Sequence, residues 1–167
     1  MKHYFFIFLF VVTGIVTAQE APETDTGNKY RFIIGAGGGP EAGLGLHLGI
    51  QKQKNALRLG MLLMYNGDES GLLYSTGLRY FRFLTNGRIN DTYAWAGTAI
   101  TGSNDSESTD FFQSSGFGLG VSYHFGLPFH LDLDSGLRLT FDKDDPNTNK
   151  GAWYIGPTFN GALTYQW

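Results

Sequence analysis

Eight ionisable side chains fall on the small-residue faces of alternating segments: Arg31, His47, Arg58, Arg79, His124, Asp132, Asp134 and Arg138. Four fixed cations, two carboxylates and two imidazoles can build ion pairs or, in a wetter setting, pass ions. A charge held away from bulk water must be paired or hydrogen-bonded. Arg58 or Arg79 is therefore expected to meet Asp132 or Asp134 across an enclosed interior. The expected role of this polar and ionic cluster is structural: it satisfies itself and fixes strand register. An ion path in which the pairs exchange partners is the alternative.

Other chemistries find less support. A nucleophile needs a base within reach. His47 and His124 are expected inside, far from the loop serines Ser103, Ser106 and Ser108, and there is no G-x-S-x-G elbow. No catalytic residue and no cofactor is expected. The absence of Cys rules out a disulfide framework and a thiolate metal site. Asp142, Asp144, Asp145 and Asn147 approach a calcium loop but lack the downstream bidentate Glu, so no metal site is expected. The run 35–39 (GAGGG) has no GK[ST] after it and is not a phosphate loop. A net charge of −3 without a basic run weighs against nucleic acid.

The elements that carry these residues have a period of two. Alternation runs through 29–38, 41–51, 56–66, 72–84, 92–102, 111–126, 130–142 and 152–167. In 41–51 the large set is Leu44, Leu46, Leu48 and Ile50, and in 56–66 it is Leu57, Leu59, Met61, Leu63 and Tyr65. In 130–142 Leu131, Leu133, Leu137, Leu139 and Phe141 oppose Asp132, Asp134, Gly136, Arg138 and Thr140. The fifth segment, around Tyr93 and Trp95, has small or mixed residues on both faces. Turn residues separate the segments, including Asn66-Gly67-Asp68, Asn86-Gly87 and Asp145-Pro146-Asn147. The composition agrees with an all-β fold. Only 16% of the chain is charged and 24 of 167 residues are Gly, against roughly 25% and about 7% in ordinary globular chains.

Residues 1–18 have the form of a secretory signal peptide cleaved after Ala18: Lys2 and His3, the apolar run 4–12, then Thr17-Ala18. Residues 19–28 form a polar, flexible lead-in, and 29–167 a single domain. With both ends of that domain in the periplasm, junctions 51–55, 85–91 and 126–130 lie inside. Junctions 38–41, 66–71, 103–110 and 142–151 then face outward. Three of the outward four are acidic or polar (NGDES, SNDSESTD, DKDDPNTNKG).

Alternation fits either a soluble barrel with a greasy core or a membrane barrel with a greasy exterior. Eight strands enclose a space just wide enough for side chains, and turning every Leu, Phe, Tyr and Trp inward would overfill it. Gly, Ser, Thr and Ala fit such an interior, which puts the large residues against lipid. Several segments are longer than a soluble strand needs. Aromatics also gather near segment ends as girdles: Tyr30, Phe32, Tyr65, Tyr80, Phe83, Tyr93, Trp95, Phe111, Tyr123, Phe125, Trp153, Tyr165 and Trp167. Backbone groups in lipid must all be paired, so the first strand must meet the last.

These features, with Phe159, Leu163, Tyr165 and the terminal Trp167 in the stretch FNGALTYQW, resemble the small eight-stranded outer-membrane barrels of the OmpA-transmembrane-domain and OmpX-like class. The resemblance covers 29–167. It implies an eight-stranded antiparallel up-and-down transmembrane β-barrel, with Phe159, Leu163, Tyr165 and Trp167 as the signal for barrel-assembly machinery. It also implies a monomer in the bacterial outer membrane, with the lipid bilayer and lipopolysaccharide as partners. A structural or interaction role through acidic outer loops follows, since fold alone names no activity. A narrow porin-like channel, an outer-membrane lipid-modifying enzyme and a soluble exported barrel for an apolar ligand are the alternatives.

Overall fold

The computed structural model describes residues 29–66, 71–87, 89–104, 109–125, 128–142 and 152–167. They form eight strands: β1 (Tyr30–Gly38), β2 (Gly45–Lys52), β3 (Asn55–Asn66), β4 (Gly71–Phe83), β5 (Asn90–Asn104), β6 (Thr109–His124), β7 (Phe129–Asp142) and β8 (Ala152–Gln166). Each strand pairs antiparallel with the next, and β1 pairs with β8 to close the barrel. Closure is continued by Phe32 and Trp167, which exchange backbone hydrogen bonds of 3.0 and 3.2 Å. Among the described residues no helix is long and apolar enough to cross a membrane. The leader and most of the acidic loop residues, including the Asp144–Asn147 cluster, lie outside the described residues.

Side-chain size follows the alternation on most strands. Leu46, Leu48 and Ile50 of β2, Leu57, Leu59 and Met61 of β3, Phe117 and Leu119 of β6 and Leu133, Leu137 and Leu139 of β7 point out and are exposed. Positions between them point into the lumen and include buried His47, Arg58, Asp132 and Asp134. The exterior is thus apolar, whereas the interior carries the buried charges beside one cluster of aromatic and aliphatic side chains.

Aromatic rings mark both ends of that exterior. At the end carrying Tyr30 and Trp167, Phe129 and Tyr165 lie 5.2 Å apart, Tyr165 and Trp167 5.7 Å, and Phe32 and Trp167 6.1 Å between centroids. Near the opposite, loop end Phe141 and Trp153 lie 5.0 Å apart. Three residues expected in these girdles stand elsewhere. Phe83, Tyr93 and Trp95 are buried in the lumen with Phe81. On β5 the size rule is reversed, because Tyr93 faces Gly120 in register and fills the space that glycine leaves.

The second departure is at the first hairpin. Residue 41 was expected to begin a strand, beside an outward junction at 38–41. Instead β2 begins at Gly45, and 39–44 fold inward, with Glu41, Ala42 and Gly43 buried. β1 and β2 have 9 and 8 residues while β8 has 15. Pairing of β1 with β8 therefore stops at Gly38↔Gly161, and pairing of β2 with β3 stops at Leu46↔Met61. Toward the loop end, no described strand pairs with 152–160 of β8 on the β1 side, or with 63–66 of β3 on the β2 side. The wall has a notch there.

Candidate functional site: the barrel lumen

The lumen is filled in layers. In the middle layer Arg58 and Arg79 are register partners on β3 and β4, so two cations stand side by side. They face two carboxylates that lie two positions apart on β7. Arg58 Nη1 donates to Asp132 Oδ2, and Arg79 Nη2 donates to Asp134 Oδ1 at 2.8 Å. Asp134 also accepts from Asn160 Nδ2 at 2.8 Å and Tyr93 Oη at 3.0 Å. Aromatic faces cover the guanidinium groups: Phe81 lies 4.5 Å from Arg58 and 4.8 Å from Arg79, and Trp95 lies 4.2 Å from Arg79. Ion pairing and cation–π contact together stabilise charges that burial alone would penalise.

Nearer the terminal end, His124 Nε2 lies 3.1 Å from Asp91 Oδ2, and its ring is 4.4 Å from that of His130. Gly87 N–H donates to the other Asp91 oxygen at 2.7 Å. Among the described residues no group of three His, Cys, Asp or Glu has the arrangement of a metal site.

The folded-in segment forms the layer above the ion pairs. Ser114 Oγ donates to the Pro40 carbonyl, Leu44 N–H donates to Ser75 Oγ at 3.1 Å, and Thr158 Oγ1 donates to Glu41 Oε2 at 2.5 Å. His47 Nε2 lies 3.4 Å from the Gly43 carbonyl. Gly60 and Gly77, register partners on β3 and β4, make room for the segment. A Cβ on either would stand 2.1 and 2.6 Å from the Ala42 backbone. Gly43 itself has φ +70°, a conformation that costs a glycine little.

The expected cluster is thus distributed over the barrel. Arg58, Arg79, Asp132 and Asp134 form the central ion pairs, His47 meets the inward segment, and His124 pairs with Asp91. Two residues differ from expectation. Arg31 is exposed at the start of β1, because that strand begins at the terminal rim. Arg138 faces inward but lies beyond the inward segment, half-buried and without an ion pair among the described residues. Its register partners are Gly116 and Gly156; the Gly156 flank is open, whereas the Glu41 side chain lies against Gly116 on the other flank. It lines a cavity of about 390 Å³ with Phe112, Thr140, Tyr154, Ile155 and Gly156. Glu41, Asp91, Tyr93, His130 and Asn160 were not anticipated as members. His130 and Asn160 could have been found by extending the parity of Asp132 and of Ala162 by one step.

The residues expected to form an assembly signal occupy the outward face of β8 and the chain end: Phe159, Leu163, Tyr165 and Trp167 are all exposed. That placement leaves them on the surface another protein or lipid would meet.

No family model and no curated protein matches this chain. Among solved structures, it is similar to a major outer membrane protein from Thermus thermophilus. The TM-score is 0.43 and the identity 13%, over 83% of this chain and 99% of that one. A similarity of that size carries no weight for function.

Proposed function

We propose that the chain is an outer-membrane β-barrel with a structural or interaction role, exported by residues 1–18 and working without catalysis as a monomer. The observation that carries this reading is the direction of the side chains. Leu, Phe, Ile and Met cover the outside, whereas Arg58, Arg79, Asp132 and Asp134 are paired within. Such an exterior is stable against hydrocarbon and not against water.

The bilayer is the first partner, and lipopolysaccharide meets the loop end. Barrel-assembly machinery reads Phe159, Leu163, Tyr165 and Trp167. The acidic outer loops make the contacts that support envelope integrity or surface adhesion. Fractionation of expressing cells, with gel migration of boiled and unboiled samples, tests membrane residence. Recovery in the outer membrane with a heat-dependent mobility shift is the expected result. A product that stays dissolved and monodisperse without detergent overturns it. Pull-down of envelope components with intact and loop-trimmed chains tests the interaction role.

A further inference from the structure

The notch and the unpaired Arg138 belong to one feature. Inward-facing positions toward the loop end differ from those of the central layer. Leu62, Met64 and Leu73 stand on that side of the lumen, and Met64 and Leu73 are register partners. Met64 is 55% exposed although it shares the inward face of Arg58 and Gly60. Across the vestibule stand Phe112, Thr140, Tyr154 and Arg138. This is an open chamber of mixed polar and apolar lining above the inward segment, and Arg138 is the single cation among its described lining residues. In the floor, Glu41 Oε2 accepts from Thr158, while Oε1 has no hydrogen-bond partner among the described residues, and neither oxygen forms an ion pair with Arg138.

The chamber opens sideways. Its lining includes inward-facing Gly156 and outward-facing Ile155. Pairing with β7 covers one edge of these residues, so the cavity reaches round the edge that β1 leaves vacant. Ile155 is 80% exposed, while its β7 partner Leu139 is 39% exposed. Pro157 follows at the same edge. Phe32 and Trp167 exchange bonds across the β1 seam, and strand alternation turns the odd-numbered amides of β8 to that side. Proline therefore lacks its N–H where no β1 strand accepts one. The notch lies between the Trp153 and Trp167 girdles, at the depth of acyl chains.

We propose that this notch and chamber bind a single-chain fatty carboxylate. Its head sits on the Arg138 guanidinium, and its chain leaves between β8 and β3, past Ile155, into the outer leaflet. A guanidinium offers paired donors that match a carboxylate. A volume near the bottom of the ligand-pocket range of about 300–1,000 Å³ suits one chain better than two. The inference rests on membrane residence but goes beyond the structural role proposed above.

Photolabelling tests it, with the intact protein in phosphatidylcholine nanodiscs and a diazirine palmitate as probe. Adducts are expected on peptides holding 62–64, 112 and 154–156, and excess plain palmitate removes them. Arg138→Gln lowers their yield by about tenfold, the loss expected for a charge-assisted hydrogen bond. The matching diazirine alcohol labels the native protein only at that reduced level. Gly156→Leu fills the mouth and also lowers the yield. It keeps the fold, because nothing lies within 4 Å of a Cβ at that position.

Equal labelling of Arg138→Gln and native protein, or adducts spread evenly round the wall, overturns the site. Loss of labelling to millimolar inorganic phosphate marks a free-anion site instead and overturns the amphiphile. Lysophosphatidate displacing the probe well below the palmitate concentration overturns the carboxylate. Heat-dependent gel mobility, followed for each variant, separates failure of this site from failure of membrane residence.

Discussion

Asp134 is the most connected carboxylate of the lumen, with Arg79, Asn160 and Tyr93 all donating to it. Replacing it by Ala leaves the Arg79 guanidinium buried and unmatched. Asp134→Ala is expected to cost about 3–5 kcal/mol, measured as a lowered urea midpoint for the refolded barrel. Asp134→Asn keeps acceptor and shape and should cost less. A double-mutant cycle on Arg58 and Asp132 should give a coupling energy well above that of an exposed ion pair, which is about 0–1 kcal/mol. Sequence alternation puts these four residues on one face, because only that face is small enough to be internal. It carries no information on height along the axis. That is why Arg31 and Arg138 share the face of the ion pairs but stand at opposite rims.

At the level of elements, the inward segment 39–44 depends on glycines far away in the chain. Gly60 and Gly77 leave the Ala42 backbone its space, and Gly116 does the same for Glu41. Gly77→Val should expel the segment. An Ala42→Cys probe would then react with an aqueous maleimide, whereas Ala42→Cys in the native background should stay protected. The run GAGGGPEAGLG shows why this was not legible: it has almost no side-chain alternation to set a register. Its position is decided by contacts with β3, β4 and β6, which no local pattern records. On β5, period two groups Tyr93 with Trp95 correctly but does not say which side is inward. The glycines of β6 decide that. The strands with strong size contrast, β2, β3, β6 and β7, were readable directly, and only their ends shift by a few residues.

For the molecule as a whole, the direction of the apolar face fixes the solvent. In lipid, Leu119→Arg should destabilise the barrel by about 2–4 kcal/mol near the midplane, read as a drop in the unfolding midpoint in vesicles. In a barrel dissolved in water, the same exposed position should tolerate Arg with little change. The packed lumen also bears on the channel alternative. Ion pairs, Phe81, Tyr93, Trp95 and the inward segment occupy successive layers, so no discrete conductance steps are expected in planar bilayers. Regular single-channel openings would require those layers to part.

The first hairpin also bears on the order of events. Its connecting residues lie inside the ring that β8 completes, so they dock either before β1 and β8 join or afterwards through the loop end, past the gap the short β1 and β2 leave. Escape would require the Pro40, Glu41 and Leu44 contacts to break together, which ties the segment's opening to the β4, β6 and β8 positions that hold it.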